Sequence, residues 1–244
     1  MFDVISKTNK VYFSTLNLVI YFSIFILFSL ILLPLVSSYV NVGGAFLRFT
    51  SLYRDITLVH SLIFIFVGLI SVLSLSFFIS AIITIVKLKE TLDHVRFSKA
   101  VSLFTHYVMK VFLFFIMLSA ISLIAGIILS MLSVSNFLIQ LIIFLIWIPF
   151  VFTPQIIILE DFKILEAMRD SWKFVRISPF SIISYFLLGF VFVFILLLIE
   201  TYLGQFFIWE HKIVSIILLS LFVVPYLQMF ATELYIRRYA VARL

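Results

Sequence analysis

Hydrolytic and metal chemistry needs His, Cys, Asp or Glu brought together at short, regular spacings, and this chain keeps its few such residues apart. The four histidines, His60, His94, His106 and His211, are isolated from one another, and none has a pair of carboxylates near it. There is no H-E-x-x-H helix and no acidic metal-binding array. The absence of cysteine removes thiolate ligands, disulfides and cysteine nucleophiles. Six glycines in 244 residues leave little material for a phosphate cradle. A Ser, His and Asp could converge only through the fold. The expectation is a protein that is not an enzyme, with no catalytic residues, no cofactor and no metal.

Transport chemistry asks for something else: ionisable groups or broken helices at membrane depth. No charge falls between Val111 and Leu159, and Glu200 is placed by its spacing from Phe180 at the far end of a span. The remaining candidates are Pro34, Pro149, Pro154 and Pro225, with Gln140, Gln155 and Gln228. Proline frees a carbonyl and bends a span. The serines Ser71, Ser74, Ser76 and Ser80, and Ser119, Ser122, Ser130 and Ser133, could line a polar seam or let helices pack closely.

The elements that hold these residues are set by composition. With 65% hydrophobic residues, 11% charged residues and a mean hydropathy of +1.32, the chain is an integral membrane protein. Because about 20 apolar residues cross one bilayer core, the charge-free runs predict six spans within a single membrane domain over residues 1–244: about 16–40, 58–86, 111–133, 137–159, 180–202 and 213–232. The run after MFDVISKTNK is too long for a signal-peptide core and is read as a retained first span. The fold class is therefore an all-α, polytopic membrane bundle with amphipathic connecting helices.

Orientation follows from the basic residues. Fourteen of the 17 Lys and Arg fall in the N-terminal segment, the second and fourth connections and the C-terminal tail, leaving Arg48, Arg54 and Lys212 for the other side. The positive-inside rule then puts both termini in the cytoplasm of a multi-pass cell-membrane protein. The net charge of +6 is mostly this signal. Basic residues spread over separate short loops are not a nucleic-acid surface. On the opposite face, residues 41–57, with Gly43-Gly44 followed by Phe46, Leu47, Phe49, Leu52 and Tyr53, read as a turn and a short interfacial segment.

Charge concentrates in EDFKILEAMRDSWKFVRISP, residues 160–179. Leu165, Met168, Trp172 and Val175 recur at helical spacing, and acids lead while Lys173 and Arg176 close, as the helix dipole prefers. Such a helix is expected to lie flat at the interface. Asp170 stands three residues before Lys173 as an ion-pair partner. Ser178-Pro179 predicts the start of the next helix. The segments Leu92-Asp93-His94-Val95-Arg96-Phe97-Ser98 and Leu165-Glu166-Ala167-Met168-Arg169-Asp170-Ser171 share Leu, acid, Arg and Ser at an offset of 73, and Glu233 to Arg238 echoes them. A threefold hairpin repeat and chance similarity both account for this.

EAMRDSWKFVRISPF resembles the E-A-x-x-x-S-W-x-x-x-R segment of a family of six-span proteins known as the membrane domain attached to some glycerophosphodiester phosphodiesterases. PYLQMFATELYIRRY, residues 225–239, is similar to that family's last-span ending. The resemblance implies a stand-alone member, since nothing here corresponds to the soluble catalytic barrel with its His-Arg dipeptide, paired acids and metal. The expected function is that of a non-catalytic anchoring or accessory module in membrane, lipid or envelope processes. Its partners would be the bilayer and a cytoplasmic or membrane protein, with no nucleic acid. The candidate interaction surface is Glu166, Arg169, Trp172, Lys173, Arg176, Asp93, Arg96, Arg237 and Arg238. The alternative is a small-solute or lipid permease subunit using proline-kinked spans.

Overall fold

The computed structural model describes residues 2–37, 58–92, 95–205 and 210–242. The interfacial segment expected at 41–57 lies outside them. The described residues form helices α1 (Phe2–Ser14), α2 (Leu16–Ser37), α3 (Leu58–Thr91), α4 (Phe97–Met131), α5 (Asn136–Trp147), α6 (Thr153–Leu159), α7 (Ile164–Ile177), α8 (Pro179–Gly204), α9 (Glu210–Leu218) and α10 (Val224–Ala242). No strand occurs among them. Five segments are long and apolar enough to cross a membrane, and the α1–α2 pair, bent by 87°, reaches that length and apolarity only when its two helices are taken together. The chain is thus an all-α membrane bundle, as its composition requires.

Prolines break two of the spans. Pro149 lies within a 3-10 turn, Ile148–Phe150, between α5 and α6, and Pro154 stands in the first turn of α6. Between α9 and α10 the chain widens into a π-turn, Leu219–Val223, just before Pro225. Proline cannot supply the backbone N–H that a continuous helix needs, so each break leaves carbonyls for other donors.

Packing is densest at the end of the bundle that carries most of the Lys and Arg, here called the basic end. There the last turns of α3 (Ile82, Ile83, Ile85), most of α6 (Ile156, Ile157, Ile158) and the middle of α10 (Met229, Phe230, Tyr235) are fully buried against one another. Away from that end the side chains turn outward: Ile128 and Met131 of α4, and Phe190, Phe194 and Leu198 of α8, are exposed, as suits helices solvated by lipid.

The serines of α3 resolve the choice between a polar seam and close packing. Ser29 donates to the carbonyl of Ser71 at 3.0 Å, and Ser74 donates to that of Phe25 at 2.6 Å, stitching α2 to α3 backbone to side chain. Ser71 and Ser76 also bond back within α3. Ser122 accepts the Trp147 indole N–H at 2.9 Å, tying α4 to α5. Ser119 and Ser133 are exposed, the latter in a left-handed turn with φ of 55°.

Candidate interaction surface

Helix α7 is amphipathic, but its buried seam is shifted from the stripe read in the sequence. Ala167, Met168, Ser171 and Phe174 face the bundle, whereas Leu165 is 71% and Trp172 41% exposed. Polarity alone misleads here because the contact uses small residues: Ala167 allows close approach, and Ser171 donates to the carbonyl of Pro149 at 2.7 Å. That carbonyl lies in the 3-10 turn between α5 and α6. Phe174 fills the gap between Phe152 and Tyr235, with ring centroids 4.8 and 5.2 Å away. The Ala and Ser of the E-A-x-x-x-S-W pattern therefore latch α7 onto a broken span.

The remaining residues of the pattern serve the helix itself and its outer edge. Glu166 accepts from the backbone N–H of Lys163 at 3.4 Å, a loose half of a capping box. Lys173 pairs with Asp170 at 2.8 Å, as expected. Trp172 leans on Phe150, centroids 6.3 Å apart, and the Arg176 guanidinium sits 5.1 Å from the indole centroid. Arg169 is exposed one helical turn before Lys173 and three residues before Trp172. Leu165, Arg169, Trp172 and Arg176 consequently share one exposed edge of α7, apolar and basic together. Ser178-Pro179 does start α8, with Ser178 as N-cap and Pro179 in the first turn.

The other candidates separate from this edge. Arg96 is the exposed N-cap of α4 and, among the described contacts, serves through its backbone carbonyl, which accepts from Ala100. Arg237 is tied to Asp3 at 2.9 Å. Asp93 and the side chain of Arg238 lie outside the described residues. The second connection does not repeat α7: α3 runs on to Thr91, α4 already begins at Phe97, and Ser98, in register with the buried Ser171, is exposed. Its amphipathic turns are absorbed into the start of α4, where Ala100, Phe104, Tyr107 and Val108 point inward.

Two polar clusters escape a reading of the sequence. The first joins α1, α3 and α10: Lys7 pairs with Glu90 and, at 3.1 Å, with Glu233, whose side chain is completely buried. The second caps α6. Lys87 donates to the carbonyls of Ile158 and Leu159 at 2.5 and 3.3 Å, placing a cation at a helix C-terminus. Lys110 pairs with Asp161 at 2.7 Å, and both lysines lie over the Tyr107 ring. The hydrogen bond from Lys110 holds the Asp161 carboxyl below its usual range, with the charges of Lys110, His106 and Lys87 adding to the effect. Glu233 gave one signal, an acid inside an apolar span ending, but its partner Lys7 is remote in sequence.

Near the basic end the amides of Gln155 and Gln228 meet at 3.2 Å, linking the two proline-broken spans. Among the described residues, no group of three or more His, Cys, Asp or Glu comes together to hold a metal. No family model, curated protein or solved structure matches the chain.

Proposed function

We propose that this chain is a stand-alone, non-catalytic membrane module that anchors or assists another membrane-associated system in lipid or envelope processes, with its basic end and both termini in the cytoplasm. One observation carries this reading. α7 is latched on its inner side by Ser171 and Phe174, yet it leaves Leu165, Arg169, Trp172 and Arg176 together on an exposed edge. A helix fixed in place and exposing an apolar, basic edge is built to rest on the inner membrane surface and to meet a partner there. The resemblance of EAMRDSWKFVR and PYLQMFATELYIRRY to the six-span membrane-domain family supports the same assignment.

The test is purification of the full chain in mild detergent, alongside a Trp172→Ala/Arg176→Gln double variant. The module reading expects one stoichiometric protein partner, retained by the parent chain and lost by the variant. Identical co-purifying sets would sink it. The permease reading rests on the Gln155–Gln228 contact between two broken spans. Solute flux in reconstituted vesicles that Gln155→Leu abolishes would establish it instead.

A further inference from the structure

Helix α8 is the least buried of the five membrane-crossing segments, and Phe180, Ile183, Leu187 and Phe190 form an exposed stripe on it that acyl chains solvate. From Phe180 to Ile199 it carries no charge, and such a run of 20 residues matches the thickness of one hydrocarbon core. The headgroup layer at the basic end therefore begins beside Pro179, the first residue of α8. Arg176 stands three residues earlier, in the last turn of α7. The span that follows α7 thus sets the last turn of α7 at phosphate level.

The charges of α7 do not cancel along its exposed edge. Asp170 is taken by Lys173 at 2.8 Å and Asp161 by Lys110 at 2.7 Å, while Glu166 accepts from the backbone N–H of Lys163. These pairings leave out Arg169 and Arg176. Seven residues apart on one helix, the two arginines lie within about 20° of each other around its axis and roughly 10 Å apart along it, with Trp172 between them. The Arg176 guanidinium already rests over the indole. Because Ser171 and Phe174 latch the inner side, both cations are presented by a helix that needs no further ordering.

We infer that the α7 edge binds anionic glycerophospholipid headgroups of the leaflet at the basic end, with Arg169 and Arg176 donating to phosphate oxygens and Leu165, Trp172 and Ile177 set into the glycerol and upper acyl region. This contact rests on the proposed role of α7 as a helix lying on the membrane surface, and it names what the edge meets there. The planar guanidinium fork fits phosphate oxygens, and an indole suits a boundary that is apolar on one side and wet on the other. A zwitterionic lipid would set its ammonium against two arginines, with the nearby Asp170 already given to Lys173. A soluble phosphate ester would leave Leu165 and Ile177, 71% and 68% exposed, uncovered.

The experiment puts the full chain, with no other protein, into phosphatidylcholine nanodiscs. Each holds a trace of phosphatidylglycerol or of phosphatidylcholine carrying a diazirine near the ester end of one acyl chain, and adducts are mapped by peptide sequencing. At residues 165–180 the phosphatidylglycerol probe should label about 25-fold more than the phosphatidylcholine probe, roughly fivefold for each arginine at a membrane surface. At residues 135–141, remote from the basic end, the two should label alike. Arg169→Gln and Arg176→Gln should each lower the ratio about fivefold, and the double variant should abolish it. Arg96→Gln/Lys99→Gln removes the same charge from the exposed start of α4 and should leave the ratio unchanged. Free glycerophosphoglycerol, the headgroup without its chains, should not displace the probe. Equal labelling by the two probes at 165–180, an equal loss in the α4 variant, or displacement by the free headgroup would each overturn the lipid site. Since no second protein is present, these outcomes leave the co-purification result standing. A chain that keeps the ratio but captures no partner retains the lipid site and loses the module role.

Discussion

The hydroxyl of Tyr12 donates to the carbonyl oxygen of Leu221 at 2.8 Å, and in a continuous α-helix the donor to that carbonyl would be the backbone N–H of residue 225, which is proline. Helix α1 thereby satisfies a break in the last span. Tyr12→Phe should destabilise the protein by about 1 kcal/mol, the usual worth of such a bond. In a Pro225→Ala background, where the backbone can supply its own donor, the same change should be near neutral. Denaturant titration in detergent micelles measures both. Equal losses in the two backgrounds would show that Tyr12 acts only by packing.

The α7 latch gives a second expectation. Ser171→Ala leaves the Pro149 carbonyl without its side-chain donor and should loosen α7 by about 1 kcal/mol. Ala167→Leu, which forces bulk into a fully buried contact, should weaken it by roughly 1–3 kcal/mol. A spin label at Arg169, which is exposed, would report the loosening as increased mobility. An unchanged spectrum in Ala167→Leu would mean that α7 is held elsewhere.

Much of this architecture is legible in the sequence because it follows from local rules. Apolar run length sets the spans, Ser178-Pro179 sets the start of α8, and Pro149, Pro154 and Pro225 mark the breaks. What stays hidden depends on which breaks find which donors. Pro225 announces a freed carbonyl at Leu221, but nothing local says that Tyr12, 209 residues earlier, supplies the hydroxyl. Likewise the apolar periodicity of α7 points to Leu165 and Trp172, while the contact is made by Ala167 and Ser171, whose value is their small size. The repeat read at an offset of 73 fails locally for the same reason: Ser98 has the right type and register, but no broken span offers it a carbonyl.

The Lys7–Glu233 pair should behave as a buried charge pair, in which losing one member harms more than losing both. Lys7→Met leaves Glu233 buried without its cation and should cost about 3–5 kcal/mol. Adding Glu233→Leu should restore much of that, since Glu90 is partly exposed and can be hydrated. Thermal unfolding of the two single variants and the double variant completes the cycle. Additive losses would show that the two side chains do not depend on each other.

Acid should release the clamp at the end of α6. The Asp161 carboxyl is held below the ordinary value of 3.8, so its contribution is present above that pH and lost as pH falls through its lowered folded value. Asp161→Asn keeps a residue type that tolerates the left-handed backbone at this position, φ 55°, while removing the charge. The variant should therefore lose this acid dependence without a backbone penalty. Parallel acid titrations followed by Trp fluorescence would show it, and equal acid sensitivity in the variant would assign the transition to other carboxylates.

Orientation is the remaining expectation, drawn from fourteen basic residues at one end and three at the other. Single cysteines are well suited to it because the chain has none of its own. The positions must be exposed whichever way the protein sits, which rules out the buried Ser171. Ser98 and Arg169 at the basic end, and Ser135 and Gln205 at the other, are all exposed. In intact cells an impermeant thiol reagent should reach cysteines at 135 and 205 and miss those at 98 and 169, and after permeabilisation it should label all four. Labelling of 98 and 169 in intact cells would invert the protein. The α7 edge would then face away from the cytoplasm, and the search for a partner would move to that side.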